Sequence, residues 1–158
     1  MPEPKVWMLE WHRRWTLKID IQAALRAAEI EFVLLDNDVI ATNIESEQNL
    51  DQVFQLIIYQ WTAGNEQDYI RLMITPFLEK PENGYSVDLV YQVLMNNHQL
   101  PIARFIFDQD EDLAIAIDIN ANEWTQEKLM ASLGILLPYA DHYFSELESL
   151  WGNQIWSY

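Results

Sequence analysis

The chain has no cysteine among its 158 residues, only four glycines, and nine basic residues against 25 acidic ones. Without cysteine there can be no disulfide, iron–sulfur cluster, thiolate zinc site or cysteine nucleophile. Scarce glycine leaves no Gly/Ser linker, and the phosphate loops G-x-x-x-x-G-K-[ST] and G-x-G-x-x-G are both missing. No apolar run approaches the roughly 20 residues that cross a bilayer. The opening MPEPKVW lacks a basic stretch leading into an apolar one, so no secretory leader is read there. The expectation is a cytoplasmic protein with no membrane partner. The shortage of basic residues sets the formal charge at −16, and such a surface repels phosphates. The densest basic stretch is only His12-Arg13-Arg14. Nucleic acid is therefore not an expected partner.

What is present is enough to build a core. Hydrophobic residues make up 50% of the chain and aromatics 13%, which argues against disorder despite the charge. The length suits one domain. The N-terminal stretch places Trp7, Trp11 and Trp15 four apart, a row along one side if the segment is helical. Asp20 can cap the next helix, IQAALRAAEI, where Ile21, Leu25 and Ala28 share a face. EFVLL and VIATNI flank an Asp/Asn turn and read as a hairpin.

A longer pair follows, Val53–Trp61 and Tyr69–Leu78. The stretch LDQVFQLIIYQW also has helical spacing, but its β-branched and aromatic content decides for strand. Phe54, Leu56, Ile58 and Gln60 then point one way, and Val53, Gln55, Ile57, Tyr59 and Trp61 the other. EKPENG breaks the chain, and Ser86 caps a helix over VDLVYQVLMNN that Pro101 prevents from running on. ARFIF and LAIAIDI flank an acidic turn as another hairpin. Thr125 caps a last helix that runs toward Trp151 and stops at Gly152–Asn153, with Pro138 expected to kink or split it. Strand runs between isolated helices give an α+β class, an antiparallel sheet with helices packed on it.

That order, carried by IQAALRAAEIEFVLLDNDVIATNI, FIFDQDEDLAIAIDI and WTQEKLMASLGILLPYADHYFSEL, resembles the YbjN-type family of type III secretion chaperone-like proteins. The likeness spans roughly residues 18–150 and lies in element order and hydrophobic spacing rather than in one motif. It implies an α-β-β-β-α-β-β-α fold, usually paired as a homodimer, which in secretion chaperones binds an extended segment of a client. It implies no catalytic residues. Residues 1–17 form a Trp-bearing arm outside the likeness, 18–151 a single chaperone-like domain, and 152–158 a C-terminal tail.

Candidate chemistry is thin. Asp108, Asp110 and Asp112 could occupy the first alternating positions of a calcium loop, but Leu113 stands where glycine is required and Ile119 where glutamate is. A solvated hairpin turn is the better reading. His142 and Glu146 are four apart on the last helix without a third ligand. Asp141, His142 and Ser145 hold the letters of a hydrolase triad, but they crowd one helix and no G-x-S-x-G accompanies them. Neither a metal nor a cofactor is expected. The last helix carries a seam of Leu129, Leu133, Leu136, Ala140, Tyr143, Leu147 and Leu150, read as intramolecular core.

The function expected is a non-enzymatic, chaperone-like interaction module that binds an extended segment of a protein partner. The alternative is a small-ligand protein or enzyme using carboxylates in a cleft. Two surfaces are expected at interfaces. One is the indole row Trp7, Trp11 and Trp15, with packing over an open sheet face or edge favoured over client binding. The other is on the middle helix, where Val87, Val90, Tyr91, Leu94 and Met95 fall within one arc assigned to the sheet. Leu89 and Val93 then fall outward and are assigned to a homodimer contact.

Overall fold

The computed structural model describes residues 20–35, 38–49 and 51–151. The three tryptophans of the arm and the 152–158 tail lie outside the described residues. Within them the order is α1 (Ile21–Ala27), β1 (Val33–Leu34), β2 (Ile40–Glu45), β3 (Val53–Thr62), β4 (Asp68–Leu78), α2 (Val87–Gln99), β5 (Arg104–Phe107), β6 (Leu113–Asn120), a 3₁₀ turn (Ala121–Glu123) and α3 (Gln126–Trp151). The strands make one antiparallel sheet in the order β1-β2-β3-β4-β6-β5. Four strands separate the first two helices, as the two hairpins predict. The resemblance implied three, and β1 is only two residues long.

The caps form as the residue types dictate. Asp20 accepts a hydrogen bond from the Ala23 amide at 2.9 Å, Ser86 from Leu89 at 3.2 Å, and Thr125 from Lys128 at 3.0 Å. Alternation sets the sheet's two faces. Ile40, Ile58, Leu72 and Ile117 stand abreast on four strands, as do Leu56, Ile74 and Ile115 one rung on. All are buried, and α1, α2 and α3 pack their apolar sides onto this face. Leu129, Leu133, Leu136, Ala140 and Leu147 of α3 are core, as the seam predicts; Phe144 is buried and the neighbouring Tyr143 only half so. Phe144 meets Phe54 and Phe77 edge-on at 5.6 and 5.5 Å.

Pro138 does not split α3, which runs unbroken for 26 residues. Gly134, whose carbonyl loses its partner to the proline ring, and Pro138 itself are both exposed, so the freed oxygen lies on the side of the helix that faces solvent. On the buried side, the Asp141 carboxylate accepts from Ser46 Oγ and from the Glu47 amide at 3.1 Å. The Asp141 carbonyl accepts from Asn49 Nδ2 at 3.2 Å, which ties the turn after β2 to the helix.

The orientation expected for α2 is wrong. Leu89 and Val93 are 0% and 6% exposed and sit in the core, so neither is available to a second copy. Val87, Tyr91 and Leu94 are more than 60% exposed and Met95 is 40% exposed. The helix carries two apolar stripes, and counting apolar residues chose the wrong one. The buried stripe is Leu89, Val93, Asn96 and Leu100, its period disguised by an asparagine. The Asn96 side-chain oxygen accepts from Gln92 Nε2 at 2.9 Å, while its buried Nδ2 has no hydrogen-bond partner among the described residues.

Candidate partner-binding surfaces

Four surfaces are placed by this architecture: the two sheet edges, the outward stripe of α2, and the sheet face away from the helices. The edges differ in chemistry. At β5, Asn97 reaches from α2 to the backbone of Phe105. Its Nδ2 donates to the Phe105 carbonyl at 3.0 Å, and its Oδ1 accepts from the Phe105 amide at 2.6 Å. One side-chain amide thus takes the place of a neighbouring strand and caps the edge there. At β1, the other edge, Val33, Leu34 and Leu35 are 61%, 51% and 46% exposed. Consecutive strand residues point to opposite faces, so exposure of both Val33 and Leu34, and of Leu35 just after them, leaves this edge uncovered on both sides.

The sheet face away from the helices holds a groove of about 680 Å³. Its floor follows from side-chain size. Ala114 and Ala116 on β6 leave a trough beside Met73, while Ile57, Tyr59 and Trp61 on β3 and Ile106 on β5 stand higher. At one end Arg71 makes a forked pair with Asp118 at 2.8 and 2.9 Å. Trp61 covers the guanidinium at 4.4 Å and donates to the same carboxylate at 3.0 Å. The hydrogen bond to Asp118 holds the Arg71 pKa above its ordinary value, so the guanidinium stays charged.

At the other end, the acidic turn is more than a solvated loop. Asp108 accepts from the Asp110 and Asp112 amides at 2.9 and 3.0 Å and from Thr75 Oγ1. Asp112 accepts from the Lys80 amide at 2.7 Å, and Lys80 pairs with Glu111. The Tyr85 hydroxyl donates to the Glu111 carbonyl at 2.9 Å and accepts from the Leu113 amide at 2.8 Å. Asp108, which lines the groove, and Asp118, which anchors its Arg71, are thus held by backbone amides, a hydroxyl, a guanidinium and an indole. Among the described residues no group of three His, Asp or Glu side chains is placed to hold a metal ion. Nor is any described helix long and apolar enough to cross a membrane.

Of the residues singled out from sequence, Leu89 and Val93 belong to the core, and Trp7, Trp11 and Trp15 fall outside the described residues. The groove was missed, although β3 carried its signal: Ile57, Tyr59 and Trp61 make a second apolar face on a strand already apolar on the first. Nothing in the sequence marked Asn97.

No protein-family profile matches the chain, and no curated protein matches it. Solved structures do. A chain of the HopA1–SchA chaperone–effector complex is similar over 78% of this chain and 88% of its own length, at 13% identity and a TM-score of 0.51. A chain from the complex of the Yersinia pestis type III secretion chaperone SycH with a fragment of YscM2 covers 76% and 92%, at 13% identity and 0.45. One from the ExoU–SpcU complex of the Pseudomonas aeruginosa type III secretion system covers 85% and 100%, at 14% and 0.49. The first of these carries the assignment. The chain has the α+β fold of the type III secretion chaperones.

Proposed function

We propose that this chain is a non-enzymatic, YbjN-type chaperone-like module that receives an extended segment of a partner protein at the β1 edge. The observation that carries the reading is the asymmetry of the edges: β5 is capped at Phe105 by Asn97, whereas β1 presents Val33, Leu34 and Leu35 uncovered. An added strand would gain backbone hydrogen bonds there and pockets for alternate side chains. The surplus of 16 negative charges favours basic segments. The likeness to a chain of a chaperone–effector complex agrees with this role.

The same module is a homodimer paired through the outward stripe of α2, the only surface of that helix left for a second copy once Leu89 and Val93 are buried. Val87, Tyr91 and Leu94 recur at four and three, so a two-fold axis across the helix matches the stripe to itself. A contiguous apolar stripe of this kind marks an interface more often than a scattered residue does.

The test uses an array of short peptides alternating apolar and basic residues. The wild type is expected to retain a subset of them. The Leu34→Lys, Leu35→Lys variant is expected to lose at least tenfold in affinity, and Phe107→Lys at the β5 edge to lose little. Equal losses in the two variants, or none in the first, would overturn the assignment of β1. Affinity capture from the native cell then names the partner.

A further inference from the structure

We propose that the groove on the helix-free face of the sheet is the seat of this chain's own N-terminal segment, residues 1–19, with Trp7, Trp11 and Trp15 turned into it. The first argument is burial. Met73, Ala41, Ala114 and Ala116 are 4%, 3%, 0% and 1% exposed, although all three described helices lie against the opposite face. Ala41, Met73 and Ala116 share the rung Ala41, Ile57, Met73, Ala116, with Ile57 half-buried between them and Ala114 two residues away on β6, so the burial reaches across strands rather than marking one tight spot. A methionine on a solvated sheet face does not normally become that dry; something belongs over it.

Length and direction supply the second argument. The described chain begins at Asp20, the cap of α1, which lies on the helix side of the sheet. Nineteen residues precede it. Four of them extended reach about 13 Å, enough to carry the chain past the plane of the sheet, which lies roughly 10 Å from a layer packed on it. The remaining fifteen, as a helix, span about 22 Å, close to the roughly 24 Å across six strands spaced about 4.8 Å apart. The tryptophans are four apart in that stretch and therefore share a side.

Charge is the third. Residues 1–19 hold four of the nine basic residues, Lys5, Arg13, Arg14 and Lys18, and only two of the 25 acidic ones, Glu3 and Glu10. The segment is thus a cationic piece of a strongly anionic chain, and the groove's rim carries Asp108 and Asp110. A basic, indole-bearing helix suits that trough in both charge and shape. The inference is independent of which edge binds a partner.

The absence of cysteine makes the test direct. In the full chain, Met8→Cys is paired with Gln109→Cys on the groove rim, and as a control with Glu148→Cys on the solvent side of α3. Treatment with a short bis-maleimide at low protein concentration is expected to give a monomer-sized cross-linked product for the rim pair, at least fivefold more than for the control. Substituting Trp7, Trp11 and Trp15 together by serine leaves residues 20–151 untouched. It is expected to cut that yield at least fivefold and raise the fluorescence of an added hydrophobic dye. Ile106→Glu, on the groove side, is expected to cut the yield in the same way. A product of twice the mass would give the groove to a second copy and overturn the proposal. A yield no higher than the control would overturn it as well, leaving the groove to an outside partner.

Discussion

At Tyr85 one hydroxyl joins three segments, the end of β4, the acidic turn and the start of β6. Burial, reinforced by the carboxylates of Asp112, Asp108 and Glu111, pushes its pKa up to about 12 from 10. The protonated phenol is therefore favoured by folding. That stabilisation is fully present below pH 10 and is lost as pH rises toward 12, because the unfolded chain releases the proton first. The slope is at most about 1.4 kcal/mol per pH unit. Urea melts at successive pH values are expected to show a steeper loss between pH 10 and 12 for the wild type than for Tyr85→Phe. At neutral pH Tyr85→Phe is expected to be less stable by about 1–3 kcal/mol, having left the Leu113 amide without its acceptor. Residue-scale legibility in this chain follows the range of the interaction. Asp20, Ser86 and Thr125 cap helices three residues away, so their roles can be read directly. Tyr85 meets Leu113 and Glu111 across 28 and 26 positions, and no local pattern announces it.

Elements were legible where one period dominated and illegible in rotation where two competed. β3 keeps Phe54, Leu56 and Ile58 on one side without ambiguity, and its predicted faces are those observed. α2 has apolar side chains on both sides, so its location and cap could be read but its facing could not. The two stripes now give opposite predictions. Leu89→Glu with Val93→Lys places two charges in the core and is expected to abolish cooperative folding, since burying even one unpaired charge costs several kcal/mol. Tyr91→Glu with Leu94→Lys alters only exposed positions and is expected to melt within a few degrees of the wild type. If the stripe pairs two copies, the same variant is monomeric by light scattering at concentrations where the wild type is a dimer. A wild type that stays monomeric at tens of micromolar removes the pairing without touching the fold.

For the whole molecule, the class and the succession of elements were readable because hairpins and helix caps are local. The order of strands across the sheet was not, because β4 meets β6 only after the chain has passed through α2 and β5. Register shows the distance: Ile74 pairs with Ile115, 41 positions on, whereas in the preceding hairpin Trp61 faces Tyr69. That contrast has a consequence in time. The β2–β3–β4 meander closes short loops and can assemble early, while the β5–β6 hairpin must dock as a late unit, since distant pairings carry the larger entropy of closure. Until it docks, β4 is a bare edge bearing Ile70, Leu72 and Ile74. Pulsed hydrogen exchange during refolding is expected to protect the β3 amides of Leu56 and Ile58 before those of Ile115 and Ile117 in β6. A second chain's β5–β6 hairpin fits the waiting edge as well as the chain's own. Refolding at high concentration should therefore yield exchanged dimers that persist on dilution, kinetically trapped and distinct from any pairing through α2.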